Sequence, residues 1–206
     1  MTTVDYPILQ ARDLRKIFPV SGGRKLVAVD GVSFDLVPGK TLALVGESGS
    51  GKSISTKALM RLLPGNSTLS PETRIRYTAK DGREIKIDEV KPGARTLRKL
   101  RGGEIGMIFQ EPMASFSPVY TVGNQMIETI RLHRGVGKRE ARDLAVEMLD
   151  KVGISNAPER IDQYPHELSG GMRQRAMIAL ALSAGPALLI ADEPTTALDV
   201  VLQAQI

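Results

Sequence analysis

The chain has 206 residues, 42% of them hydrophobic and 25% charged. That balance excludes a disordered tail, a collagen-like fibre and a low-complexity linker. With no cysteine and two histidines, disulfide frameworks, thiolate zinc sites and cysteine nucleophiles are excluded, and a histidine metal site has little to draw on. Lys+Arg 28 against Asp+Glu 23 leaves +5, which suits anionic ligands or a membrane surface but is too diffuse to indicate nucleic acid.

In chain order, residues 1–10 hold Asp5 and Pro7 and no long apolar run, so they are not a signal peptide. Residues 41–45 (TLALV) form a short apolar run closed by Gly46 and predict a buried strand. Residues 53–63 place Ile54, Ala58, Leu59, Leu62 and Leu63 at helical spacing before Pro64-Gly65. Strand, glycine-rich turn and helix open an α/β unit. In 74–87, Ile75, Tyr77 and Ala79 alternate with polar residues, Asp81-Gly82 follows, and Ile85 and Ile87 alternate again, which predicts a hairpin. Residues 91–103 read as a basic surface connection or short helix, and 104–109 (EIGMIF) as a buried strand.

Residues 121–133 and 138–152 predict helices. In the second, Ala141, Leu144, Ala145, Met148, Leu149 and Val152 share one face, and Gly153 takes the C′ place. A third helix over 169–182 begins at Ser-Gly-Gly, and 187–191 (ALLIA) predicts a last buried strand. The apolar stretch 176–191 is broken by Gly185-Pro186 and is shorter than the ~20 residues of a membrane span, so the expectation is a chain soluble by itself. There is no internal repeat. Because the sequence stops at Ile206 inside an apparent helix, the expectation is the front part of a longer protein.

Residues Gly46, Glu47, Ser48, Gly49, Ser50, Gly51, Lys52 and Ser53 satisfy the phosphate-loop pattern G-x-x-x-x-G-K-[ST]. Glycines let backbone N–H groups approach phosphate oxygens, and the following helix adds its N-terminal dipole. Lys52 brings a full charge to the β/γ-phosphates, and Ser53 offers Mg²⁺ a hydroxyl oxygen. The bland alternative is a turn that merely joins strand to helix. In LLIADE (188–193), four apolar residues precede two carboxylates at the end of a predicted strand. Asp192 there can hold the water shell of Mg²⁺, and Glu193 can polarise a water for attack on the γ-phosphate; read alone, such residues also cap helices. Ser169, Gly170 and Gly171 make a second glycine-containing helix start, an anion site or an ordinary N-cap. Gln110, after the strand 104–109, can ligate metal or water through its amide oxygen or be a solvated loop residue.

Taken together, the order of these motifs resembles the ATP-binding subunits of ABC transporters: GESGSGKS (Walker A), Gln110 (Q-loop), LSGGM (signature), LLIADE (Walker B) and Ala197-Leu198-Asp199 (D-loop). The stretches 108–125, 164–175 and 188–206 are similar to the oligopeptide/dipeptide/nickel branch of the importers, with Met172 where most ABC proteins have Gln. The resemblance implies an α/β fold: a P-loop NTPase (RecA-like) core with an antiparallel β subdomain and an inserted helical subdomain, the C-terminal strands missing. Within a single ABC ATPase domain over 1–206, it assigns 1–40 and 66–102 mainly to antiparallel β, and 113–175 to the helical subdomain with the signature. Residues 41–65, 103–112 and 187–206 make the nucleotide-binding core.

The function so implied is ATP binding and hydrolysis that energises import of small peptides or a related solute. ATP and Mg²⁺ are the ligands, and the place is the cytoplasmic face of the inner membrane. Glu193, Gln110 and Lys52 take the catalytic roles, residues 46–53 bind the phosphates, and Ser53, Gln110 and Asp192 serve the metal. Phe18 either stacks on adenine or packs in the core. Ser169, Gly170 and Gly171 contact the γ-phosphate held by a second ATP-binding domain, head to tail. Residues 113–132 receive a membrane permease, which works with a solute-binding protein.

Arg173 and Arg175 read as structural ion-pair partners on a helix surface, and His133 and His166 as structural. The family's switch histidine falls beyond Ile206, so the 206 residues alone are expected to bind ATP weakly and hydrolyse it negligibly. An ABC ATPase acting on nucleic acid or ribosomes fits less well. Only 59 positions separate Gln110 from Ser169, with no Cys and no stacking platform. An exporter does not match the importer-like stretches, and a non-catalytic ABC domain does not explain an intact Lys52, Asp192 and Glu193.

Overall fold

The computed structural model describes residues 6–110 and 116–193. The D-loop residues 197–199, the expected C-terminal helix and the start of the expected docking segment, 113–115, lie outside the described residues. The chain divides into two compact units, Met1–Arg98 and Lys99–Ile206.

The first unit is built on an antiparallel sheet. β1 (Leu9–Pro19) pairs on one side with β2 (Lys25–Leu36) and on the other with β4 (Arg74–Thr78), which pairs with β5 (Glu84–Lys86); the short β3 (Thr68–Leu69) also joins β1. Leu9, Ala11 and Leu14 of β1 are buried together with Ile75 and Tyr77 of β4. β1 shifts register beyond Ala11, with Asp13 at φ 48, a conformation Asp tolerates. The groups this bulge leaves unpaired are satisfied by buried Thr73, whose hydroxyl donates to Asp13 O (2.8 Å) and accepts from Arg15 N–H (3.0 Å).

The predicted hairpin forms. Tyr77 faces Ile85, and the turn closes with Gly82 N–H to Ala79 O at 2.8 Å. α1 (Lys52–Leu59) is shorter than its apolar spacing predicts. Leu62 N–H reaches back to Lys57 O and Arg61 N–H to Ala58 O, a Schellman closure with Arg61 in the left-handed region at φ 54. Helical spacing at Leu62 and Leu63 therefore continues past the point where the backbone turns out. α2 (Arg95–Lys99) occupies the basic connection.

In the second unit β6 (Ile105–Ile108) runs parallel to β7 (Leu188–Ala191) in the register Ile105↔Leu188 to Ile108↔Ala191. β6 is buried along its whole length, but β7 buries only Leu188 and Ile190 and leaves Leu189 exposed. The prediction of a buried strand is thus half right: an apolar run signals burial without saying how many faces find neighbours. α3 (Val122–Arg134), α4 (Lys138–Lys151), the short α5 (Ala157–Arg160) and α6 (Gly170–Ser183) pack around one core.

Met126 and Ile130 of α3, Ala141, Ala145 and Leu149 of α4, and Ala176 and Ala179 of α6 form that core's helical faces. Truncating a buried Leu or Ile there to Ala costs about 2–5 kcal/mol. The small residues of α4 and α6 let the helices approach closely. Gly106 does the same for β6, since a Cβ there would lie 2.8 Å from Ala181 O of α6.

Candidate functional site

The first unit carries the phosphate loop. Its chain reverses through a turn closed by Ser50 N–H to Glu47 O (3.2 Å) and enters α1 through Gly51 at φ 93. Gly51 is required twice: the left-handed conformation favours glycine, and a Cβ would lie 2.6 Å from Ala28 O of β2. β2 thus sets where the loop meets the helix, a contact no phosphate-loop pattern reveals.

Lys52 is the first residue of α1. Its Nζ donates to Gly46 O at 2.6 Å and Glu47 O at 2.8 Å, so the ammonium folds over the loop. Ser53 follows at the helix N-terminus, and Ser55 Oγ donates to Gly51 O at 2.9 Å, tying the loop to the first helical turn. Ser48, Gly49 and Ser50 are exposed.

The prediction of a strand over 41–45 fails. These residues are irregular, pair with no strand among the described residues, and leave Leu42 and Val45 exposed, Val45 at 92%. The physical reason is that a strand exists only with a ladder partner, and an apolar run specifies a wish for burial without naming the neighbour. Phe18 lies on β1 opposite Leu26 of β2 and is half-buried, neither sealed in the core nor fully exposed.

The second unit carries the carboxylates. Asp192 is buried, and its N–H donates to Ile108 O at 3.0 Å, extending the β6–β7 ladder one residue past β7. It therefore sits at the C-terminal edge of a parallel strand, where open α/β sheets present their ligand-binding groups. Glu193 comes next, exposed, with φ 51. Gln110 Nε2 donates to Glu193 Oε2 at 2.7 Å. Gln110 and Glu193 are thus brought together, a contact that the sequence pattern of neither segment signals. With its amide nitrogen so engaged, Gln110 keeps Oε1 as an acceptor for a cation or water.

Ser169 is the N-cap of α6, its side chain accepting from Met172 N–H at 3.3 Å, and Gly170 opens the helix. Ser169 and Gly170 are exposed, and Gly171 is half-buried. Just before them Tyr164 and His166 stack with ring centroids 5.5 Å apart. The aromatic spacing in Tyr-Pro-His was the available signal for that pair. Arg175 departs from the ion-pair reading: it donates to Gly153 O at 2.6 Å, beyond the C-terminus of α4. Carbonyls at a helix end carry partial negative charge and attract a guanidinium as a carboxylate would.

Among the described residues no three Asp, Glu, His or Cys side chains cluster as a metal site, and no helix is long and apolar enough to cross a membrane. Ser53 in the first unit and Gln110 and Asp192 in the second carry oxygen atoms of the hydroxyl, amide and carboxylate kinds, the donor chemistry that suits a hard cation such as Mg²⁺.

A family model described as "ABC transporter" matches residues 29–196. A putative peptide import ATP-binding protein of Brucella melitensis is 52% identical over 200 residues, 97% of this chain and 58% of the relative. The peptidoglycan transport ATP-binding protein YejF of Agrobacterium fabrum is 50% identical, over 97% of this chain and 35% of the relative. The glutathione import ATP-binding protein GsiA of Pectobacterium atrosepticum is 48% identical, over 97% and 32%. The chain therefore spans a third to somewhat over half of the length of these relatives. Among solved structures, the ATP-binding cassette MJ0796, a dimer in a post-hydrolysis state bound to ADP and Pi, superimposes with a TM-score of 0.80 at 26% identity. The match covers 96% of this chain and 79% of that one.

Proposed function

We propose that this chain, which belongs to the ABC transporter family, binds and hydrolyses ATP to energise import of small peptides or a related solute. The observation that carries the reading is the folded phosphate loop, with Lys52 held over the carbonyls of Gly46 and Glu47 at the start of α1. The names of the import ATP-binding relatives support the peptide class.

In this reading backbone N–H groups of 46–53 and the Lys52 ammonium hold the β- and γ-phosphates. Binding costs Lys52 only an exchange of two carbonyl partners for phosphate oxygens. Ser53, Gln110 and Asp192 would hold Mg²⁺, which would supply charge neutralisation at the phosphates. Glu193 accepts a hydrogen bond from the attacking water and polarises it, while the Gln110 amide fixes the carboxylate's direction. Phe18 is the aromatic offered to adenine. Residues 41–65, 103–112 and 187–206 form the nucleotide-binding core, and 113–175 the helical subdomain.

The dimeric MJ0796 cassette supports a second ATP-binding domain as partner; Ser169, Gly170 and Gly171 then contact the nucleotide held by that partner. Membrane permease subunits dock on 113–132 and place the chain at the cytoplasmic face of the inner membrane, with a solute-binding protein delivering cargo. The test is uptake of a labelled tripeptide by cells making the whole protein with its transport partners. Lys52→Ala and Glu193→Gln are each expected to abolish uptake, and only Lys52→Ala to lose nucleotide binding. Uptake at the unaltered rate in both variants overturns the reading.

A further inference from the structure

A cavity of about 710 Å³ in the first unit has no part in this reading. It opens beside β1, the end of α1 and the start of β4, and Lys16, Arg61 and Arg74 stand on its wall. None of the residues of the phosphate loop lines it.

Lys16 is the informative group. It is only 6% exposed, and its ammonium has no hydrogen bond or carboxylate partner among the described residues. Burial first, and the Arg61 guanidinium second, push its pKa down. The two carboxylates on the same wall are committed elsewhere. Asp88 Oδ1 accepts from Ile75 N–H at 2.9 Å and pairs with Arg76 at 2.5 Å. Glu89 Oε1 lies 3.5 Å from Arg76 and 3.6 Å from Lys86. Arg61 is held in place by donating to Asp88 O at 2.8 Å, and Arg74 by donating to Pro71 O and Thr73 O.

A lysine side chain this buried, with an arginine as its charged neighbour, is costly. The same arrangement becomes favourable when a compact anion sits between the two, bridged by charge-assisted hydrogen bonds. A phosphate monoester puts close to two charges on one group at neutral pH, matching a point-charge lysine beside an arginine fork. The cavity is far larger than a bare phosphate, and Leu63, Pro64 and Leu69 give it an apolar side. We propose that this cavity binds a small phosphate monoester, with its phosphoryl group between Lys16 and Arg61 and its organic part against Leu63 and Leu69, at a site separate from the phosphate loop.

The test is calorimetric titration of the full chain, saturated with a non-hydrolysable ATP analogue and Mg²⁺, with glycerol 3-phosphate, inorganic phosphate and citrate in separate runs. One equivalent of glycerol 3-phosphate is expected to bind, more tightly than either other anion. Lys16→Met, which keeps length and removes the buried charge, and Arg61→Gly, which suits the positive φ at that position, are each expected to weaken it tenfold or more. The melting temperature of Lys16→Met is expected to equal or exceed that of the unaltered chain, which shows that the site and not the fold was lost. Lys52→Ala is expected to leave this binding unchanged whether or not it abolishes ATP binding, so the two sites fail independently. No binding of glycerol 3-phosphate, binding unaltered in both cavity variants, loss in Lys52→Ala, or tighter binding of citrate or inorganic phosphate each overturns the proposal.

Discussion

Gln110 and Glu193 meet at 2.7 Å because each stands two residues beyond the same register pair, Ile108↔Ala191, at the C-terminal end of the parallel strands β6 and β7. The ladder that buries Ile105, Met107 and Ile190 therefore also aims a neutral amide at a carboxylate. A neutral donor orients Glu193 without compensating its charge, which suits the role of base proposed for it. Glu193→Gln is expected to lower the rate of ATP hydrolysis by the roughly 10²–10⁴-fold typical of a general base, with nucleotide affinity retained. Gln110→Glu puts two carboxylates in contact, which raises the pKa of the pair. Its rate is expected to fall at neutral pH and recover as the pH rises, read from a pH–rate profile of the complete protein.

The same residue stores backbone strain. Glu193 has φ 51, a conformation that costs a residue with a Cβ about 1–2 kcal/mol and glycine little. Glu193→Gly is expected to abolish hydrolysis and yet raise the melting temperature by roughly 2–4 °C, the shift that about 1 kcal/mol produces in a chain of this size. A fall in melting temperature would show that the Gln110 hydrogen bond outweighs the strain.

Much of the second unit was legible in the sequence because its signals are local. Thr121 and Ser169 cap α3 and α6 as their types predict, and the apolar face of α4 packs as its spacing requires. The hairpin followed from Asp81-Gly82 for the same reason. What escaped depends on partners far away in the chain. Residues 41–45 look like a strand but have no ladder to join among the described residues, and the Gln110–Glu193 contact depends on a parallel register that neither segment encodes alone. Arg61, a non-glycine residue in the left-handed region, ended α1 where spacing alone continued it. Of the site residues, the loop 46–53 was readable because the phosphate-loop pattern specifies its glycines. The need for Gly51 to clear Ala28 was not, since Ala28 lies over twenty residues earlier.

That clearance separates two glycines of one loop. Gly49 has φ 81 but open space where an alanine methyl group would stand, whereas Gly51 has both a positive φ and Ala28 O at 2.6 Å from that position. Gly49→Ala is expected to cost about 1 kcal/mol from backbone strain alone. Gly51→Ala adds a clash with a fixed carbonyl and is expected to cost about 2–3 kcal/mol and to weaken ATP binding more strongly. Thermal unfolding and nucleotide titration of the two variants check the order; equal losses would mean that β2 gives way freely.

Gly106 poses the packing version of the same question. A Cβ there would lie 2.8 Å from Ala181 O and 3.0–3.1 Å from Pro186 and Leu189. Gly106→Ala is expected to push β6 from α6 and lower stability by about 1–3 kcal/mol. Because β6 leads into Gln110, hydrolysis should fall more than nucleotide affinity, measured as a drop in kcat with KM little changed.

Arg142 of α4 grips Asp162 with two hydrogen bonds, 2.9 and 2.7 Å, and holds its carboxyl below the usual aspartate range. The lowered pKa means that the native state favours the ionised form. The pair's contribution is therefore present above the unfolded aspartate value of about 3.9 and is lost as pH falls through the lower folded value. Both side chains are largely exposed, so solvent screening limits the contribution to about 0.2–1 kcal/mol. Arg142→Met is expected to destabilise the chain by that amount at pH 7 and by progressively less towards pH 2, with the difference shrinking in high salt. Unfolding curves of the two proteins across that range check the sign: a difference that grows on acidification would place the stabilising charge elsewhere.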